Sequence, residues 1–170
     1  MKISLIKTGW TGALAGFLLL SSCIQEDDPP PSEYSPVLMK RSELENSVEW
    51  RDPRDIKKAH KIYIKDHLIF IVERFEGIHV IDNANPENPE KLGFIRIPGN
   101  QDVAVKGNYL YADNAVDLLT IDINSWPPQV VDRDREALPS VAPPDNLVLA
   151  DHLDNNNWPD STVVIKWSKS

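Results

Sequence analysis

Cysteine and glycine are both scarce in this chain. Cys23 is the only cysteine in 170 residues, which excludes an internal disulfide and a thiolate metal cluster. The seven glycines build no phosphate-binding loop, and those at turns include Gly99 and Gly107. Neither a G-x-S-x-G nucleophile elbow nor a C-x-x-C pair occurs. His60, His67, His79 and His152 never fall at an H-x-x-x-H spacing, so the helical zinc signature is missing. Positive charge is also short: 18 Lys and Arg stand against 26 Asp and Glu, a formal net charge of −8. An acidic chain repels phosphate backbones, so no nucleic-acid partner is expected. Long apolar runs are absent too. The uncharged stretch from Trp10 to Leu20 falls short of the roughly 20 residues that a bilayer-spanning helix needs.

That short run instead has the surroundings of an export signal. Lys2 and Lys7 form a positive start, the apolar run follows, and Leu20-Ser21-Ser22-Cys23 closes it with small residues. The closing tetrad resembles the lipobox of bacterial lipoproteins. That resemblance implies that residues 1–22 are removed, and that Cys23 carries the lipid that attaches the chain to a membrane. Two or more acyl chains give stable anchoring, at about 0.8 kcal/mol per buried methylene. Loss of Lys2 and Lys7 takes the formal net charge from −8 to −10. Residues 23–36 then read as a tether. Glu26-Asp27-Asp28 precedes Pro29-Pro30-Pro31, and prolines favour an extended polyproline chain. The acidic cluster resembles a surface-export signal of some Gram-negative lipoproteins, and a solvated spacer is the plainer reading. The expected location is the cell envelope, on the outer membrane and exposed at the surface.

Residues 37–56 form an N-terminal segment with a short helix over Arg41–Val48. Ser42 and Glu45 have the spacing of a capping box, and Leu44 and Val48 share one face. From Ile62 the hydrophobic period becomes two. Residues 57–99 hold strands over Ile62–Lys65, Leu68–Glu73, Gly77–Asp82 and Leu92–Ile97, with an Asp66-His67 turn. Residues 100–137 repeat the order: Val103–Lys106, the Gly107-Asn108 turn, Tyr109–Ala112, Leu118–Asp122 and Val130-Val131. Asp66 and Gly107 are offset by 41 residues, Asp82 and Asp122 by 40. A period of about 40 with four short strands is that of a propeller blade or a similar stacked β unit. Residues 138–170 give a Pro- and Asn-rich loop and a last strand over Thr162–Trp167. The fold class expected is therefore all-β, with two blade-like antiparallel units in an incomplete propeller.

Gly77-Ile78-His79-Val80-Ile81-Asp82 with Asn85-Pro86-Glu87-Asn88-Pro89 is similar to the LVIVD repeat, as is Asp102–Asp113 with Leu119-Thr120-Ile121-Asp122. Val37-Leu38-Met39 and Val163-Val164-Ile165 resemble the segments that flank such repeats in surface lipoproteins. The resemblance implies a propeller-like β architecture and no particular reaction. Two units do not close a ring, and about three repeats are normally needed to bury one another's faces. A shortened relative without a function of its own, a fragment, half of an assembly and a self-sufficient β module all stay open.

No catalytic constellation, cofactor or metal site is expected. Asp82 and Asp122 read as turn acids that accept backbone N–H bonds. Asp151, Asp154, Asn155, Asn156, Asn157 and Asp160 offer oxygens but not the order of a calcium loop. Trp126 and Trp158, each before a proline, are candidate ligand contacts, with Asp113 and Asp117. The expected function is a non-catalytic, membrane-anchored module that binds an envelope protein or a glycan. The alternative is a surface hydrolase acting on glycans or peptides, with Asp113 and Asp117 gathered near Glu73 and Glu76 on one rim.

Overall fold

A computed structural model describes residues 30–147 and 158–170. The export signal, residues 23–29 of the tether, with Cys23, and the Asp- and Asn-rich run from Asp151 to Asn157 lie outside the described residues. Among those residues, no helix is long and apolar enough to cross a membrane.

Among the described residues, eleven strands and one helical turn follow one another: β1 (Tyr34–Lys40), α1 (Arg41–Glu45), β2 (Glu49–Arg51), β3 (Ala59–Lys65), β4 (Leu68–Glu73), β5 (Gly77–Asp82), β6 (Glu90–Arg96), β7 (Val103–Lys106), β8 (Tyr109–Asn114), β9 (Asp117–Asp122), β10 (Gln129–Asp134) and β11 (Thr162–Lys169). They form three antiparallel sheets. The first unit has the order β2-β6-β5-β4-β3, the second β10-β9-β8-β7, and β1 pairs with β11. The fold is all-β, and its two main sheets are the two blade-like units of the repeat.

Each unit is wound from hairpins that the sequence sets locally. Asp66, at φ 54°, and Gly107, at φ 59°, occupy the left-handed conformation that a two-residue hairpin turn requires. Asp82 and Asp122 close equivalent strands in the same way. Asp82 Oδ1 accepts the Ala84 N–H at 2.8 Å, and Asp122 Oδ1 accepts the Asn124 N–H at 2.9 Å. These are turn acids, as the spacing predicts.

The units stack through one shared core. In the first, Phe70 pairs with Val80 and Val72 with Ile78. In the second, Leu110 pairs with Ile121 and Ala112 with Leu119. All of these are buried in a single cluster with Ile95, Ile97, Val103 and Val105. Burying a side chain of this size contributes about 1.5–3 kcal/mol. Counted from the hairpin turn, the packed residues of β4 are the third and fifth, and those of β8 are the second and fourth. Side chains alternate along a strand, so the two units meet through opposite faces. That is head-to-tail stacking, as between successive blades. Tyr63 Oη donates to the Val105 carbonyl at 3.1 Å and ties β3 to β7.

The outer face of the first sheet is open along its β3 edge, while Glu73, His79 and Phe94 on the same face are buried. Ile69 and Ile71 pair with Ile64 and Ile62, and Ile62 and Ile64 are 61% and 64% exposed.

Three local readings change. The helix is confined to Arg41–Glu45, its N-cap is Lys40, and no side chain caps it. β1 carries its pairing through Lys40 opposite Thr162, and Arg41 N–H donates to Ser161 O at 2.7 Å. The backbone therefore turns one residue before Ser42 can act as a cap. Glu45 is drawn instead to Arg41 and Arg135, 3.1 Å from each. β1 also takes Tyr34–Pro36 from the expected tether. Glu49–Arg51, beyond the expected helix, becomes a fifth strand on the outer edge of the first sheet.

Candidate functional site

The polar side chains buried among the described residues gather at one end of the two sheets. There the β4–β5 turn, the loop before β7 and the β8–β9 turn meet. Phe75 takes φ 67° and Gly77 φ 143°. A Cβ on Gly77 would stand 2.0 Å from the Ile95 carbonyl oxygen, so only glycine fits. Main-chain bonds hold the turn in place: Ile97 N–H donates to Glu76 O at 3.0 Å, and Gly99 N–H donates to Phe75 O at 3.1 Å.

Three carboxylates are buried here, each neutralised differently. Glu73, on the outer-face side of β4, lies 2.8 Å from Arg54 Nη2 and 2.9 Å from His79 Nε2. Arg54 itself lies 3.8 Å over the Phe94 ring. Burial works against the Glu73 charge, but the His79 hydrogen bond and the Arg54 guanidinium outweigh it and keep its pKa below the usual carboxylate value. Asp117, fully buried, lies 2.8 Å from Arg41 Nη2 and 2.6 Å from Arg133 Nη1, and it accepts the Glu136 N–H at 3.1 Å. Burial again opposes its charge, but the Arg133 bond, the Glu136 N–H and Arg41 prevail, so its pKa is lowered. Asp113 has no cation. Its carboxylate accepts the N–H groups of Gln101 and Asp102 and the amide of Asn100, all within 2.8–3.0 Å. Burial dominates, and its pKa is raised despite these bonds. Asp113 thus fastens the loop that leads into β7.

The candidate residues are spread over different surfaces. Glu73 and Glu76 line a cavity of about 500 Å³ with Arg54, Lys57, Lys58, Arg74, Phe75 and Lys166. Asp113 lines another, of about 350 Å³, with His60, Lys61, Asp102 and Leu138. Trp158 lines an apolar recess of about 240 Å³ with Val116, Leu138, Val163 and Val164. Trp126 stands at the opposite end, 51% exposed, in a recess with His67, Leu92 and Asn108. Its ring meets Trp50 edge-on with centroids 4.9 Å apart, and its peptide bond to Pro127 is cis. Asp113 therefore lines a different cavity from Glu73 and Glu76, and Asp117 is engaged by Arg41 and Arg133. Among the described residues, no group of three or more His, Cys, Asp or Glu is arranged to hold a metal ion.

The cations of the cavity around Glu73 carry no motif in the sequence. The signal that would have found them is the run from Arg51 to Lys61. It carries Arg51, Arg54, Lys57, Lys58 and Lys61 inside an otherwise acidic chain.

No curated protein and no solved structure matches the chain. The family model of the LVIVD repeat matches residues 99–129, which span β7, β8 and β9 and reach the first residue of β10, so the second blade-like unit carries an LVIVD repeat.

Proposed function

We propose that this chain is a non-catalytic lipoprotein, anchored through Cys23 at the cell envelope, whose stacked β units bind or scaffold another envelope macromolecule. The observation that carries the binding role is the exposed apolar β3 edge of the first sheet's outer face. Ile62 and Ile64 are 61% and 64% exposed, beside the partly buried Ile69 and Ile71. Repeat units bury such faces against a neighbour, and contiguous exposed apolar surface marks an interaction site. The anchor rests on the lipobox-like Leu20-Ser21-Ser22-Cys23. The engagement of Glu73 and Asp117 in buried ion pairs supports a binding role over a hydrolytic one, because a general acid or base must be free to exchange a proton with substrate.

Two arms test the reading. Substitution Cys23→Ser is expected to move the protein from the membrane fraction to the soluble fraction of cells, and unchanged fractionation overturns the anchor. Chemical cross-linking in cells is expected to trap an envelope component with the unaltered chain and to lose it in the double variant Ile62→Lys, Ile64→Lys. An identical cross-linking pattern overturns the binding face.

A further inference from the structure

We propose that the cavity at the polar end of the first sheet binds a phosphate monoester group. None of the exposed isoleucines lines this site, and the inference does not depend on them. Five cations line the cavity: Arg54, Lys57, Lys58, Arg74 and Lys166. They converge in a chain whose formal net charge is −8, so the concentration of positive charge runs against the composition.

The two carboxylates of the cavity are already engaged. Glu73 is held by Arg54 and His79, and Glu76 is held by Lys166 at 3.3 Å. That leaves Lys57, Lys58 and Arg74 without a carboxylate among the described residues. Arg74 is oriented by Gln101 Oε1 at 2.9 Å and by the Phe75 ring, 4.8 Å away. Arg54 is fixed by Phe94 and Glu73, yet its Nε–H is buried with no acceptor.

Charge and size select the ligand class. Three uncompensated cations match a dianion better than a single carboxylate. A phosphate monoester carries about −1.5 to −2 at neutral pH and presents three strong acceptor oxygens. Arginine meets such oxygens with a planar fork, lysine as a point charge. The cavity of about 500 Å³ is larger than a phosphate and falls within the roughly 300–1,000 Å³ of sites for small organic ligands. It therefore has room for a sugar or glycerol unit behind the phosphoryl group. The main-chain bonds that pin the β4–β5 turn hold Arg74 and Phe75 in position before the ligand arrives, which lowers the ordering cost of binding.

Isothermal titration of the detergent-solubilised full chain tests this, with a hexose 6-phosphate, a hexuronate and a short-chain phosphatidic acid as probes. The hexose phosphate is expected to bind at least about tenfold more tightly than the hexuronate, and to weaken as pH falls below the second phosphate pKa of about 6. The double variant Lys57→Gln, Lys58→Gln changes two exposed side chains. It is expected to keep its melting temperature and to lose about tenfold or more in affinity, and Arg74→Gln is expected to behave alike. Equal binding of hexuronate and hexose phosphate overturns the proposal, and so does an affinity that both variants leave unchanged. Tighter binding of phosphatidic acid assigns the phosphoryl group to a lipid headgroup, and tighter binding of the hexose phosphate assigns it to a sugar.

Discussion

The two stacked units each place an ion-paired buried acid at the same point of the ladder but on different strands. In the first, Glu73 of β4 stands opposite Gly77 of β5. In the second, Asn114 of β8 stands opposite Asp117 of β9. Because the units meet through opposite faces, Glu73 points to the outer side of its sheet and Asp117 to the core side. Glu73 can therefore be neutralised by Arg54, from the segment before β3. Asp117 is neutralised by Arg133 of its own sheet and by Arg41 of α1. A repeated backbone does not require a repeated polar solution. The charge lies where a cation can reach it, and the partner position adapts.

The largest way to break this comparison is Asp117→Asn. It removes the carboxylate between Arg41 and Arg133 and leaves Arg41 only Glu45, and breaking a buried pair costs about 3–5 kcal/mol. Both arginines keep some exposure, 19% and 15% of their side chains, so about 3 kcal/mol is expected in urea unfolding. The same variant sharpens the pH dependence. The pKa of Asp117 is lowered on folding. Its contribution is therefore full above the unfolded value of about 3.9 and is lost as pH falls through the folded one. The pKa of Asp113 is raised, so its contribution is full below about 3.9 and is lost as pH rises through its folded value. Thermal midpoints measured between about pH 3 and 7 should fall less steeply toward acid in Asp117→Asn than in the unaltered chain.

Gly77→Ala comes next. It puts a methyl group 2.0 Å from the Ile95 oxygen at φ 143°, and the strain and overpacking together cost about 2–3 kcal/mol. A loss of stability smaller than that of an ordinary surface change would mean that β5 and β6 separate freely there. The smallest effect belongs to Ile62→Thr with Ile64→Thr, on the open face. Each is expected to shift stability by no more than about 0.5 kcal/mol, read by the same unfolding curves. A larger loss would mean that this face is covered in the folded chain.

The hairpins were legible because their information is local. Turn residues at Asp66 and Gly107, alternating apolar residues and a period near 40 were enough to define both units and the role of Asp82 and Asp122. What was hidden depends on contacts between distant segments. Ser42 and Glu45 satisfy the pattern of a capping box, but the pairing of Lys40 with Thr162 moves the helix start and Arg135 claims Glu45. β2 carries no strand signal of its own beyond the expected helix, and becomes a strand because β6 offers it an edge. The cationic cavity joins residues from the 54–58 stretch, the β4–β5 turn and β11, and no spacing rule links them.

The pairing of β1 with β11 also bears on the order of assembly. Ser35 and Ser170, bonded at 2.7 Å, are 135 residues apart in sequence. Closing so long a loop carries an entropy cost that rises with the logarithm of its length, and contacts of this range slow folding. The hairpins of the two units close loops of only a few residues. They can form while the chain is still emerging, whereas β1 must wait until the last strand has been delivered. Until then β1 is an unpaired strand with a free edge, the kind of segment that pairs with the wrong neighbour.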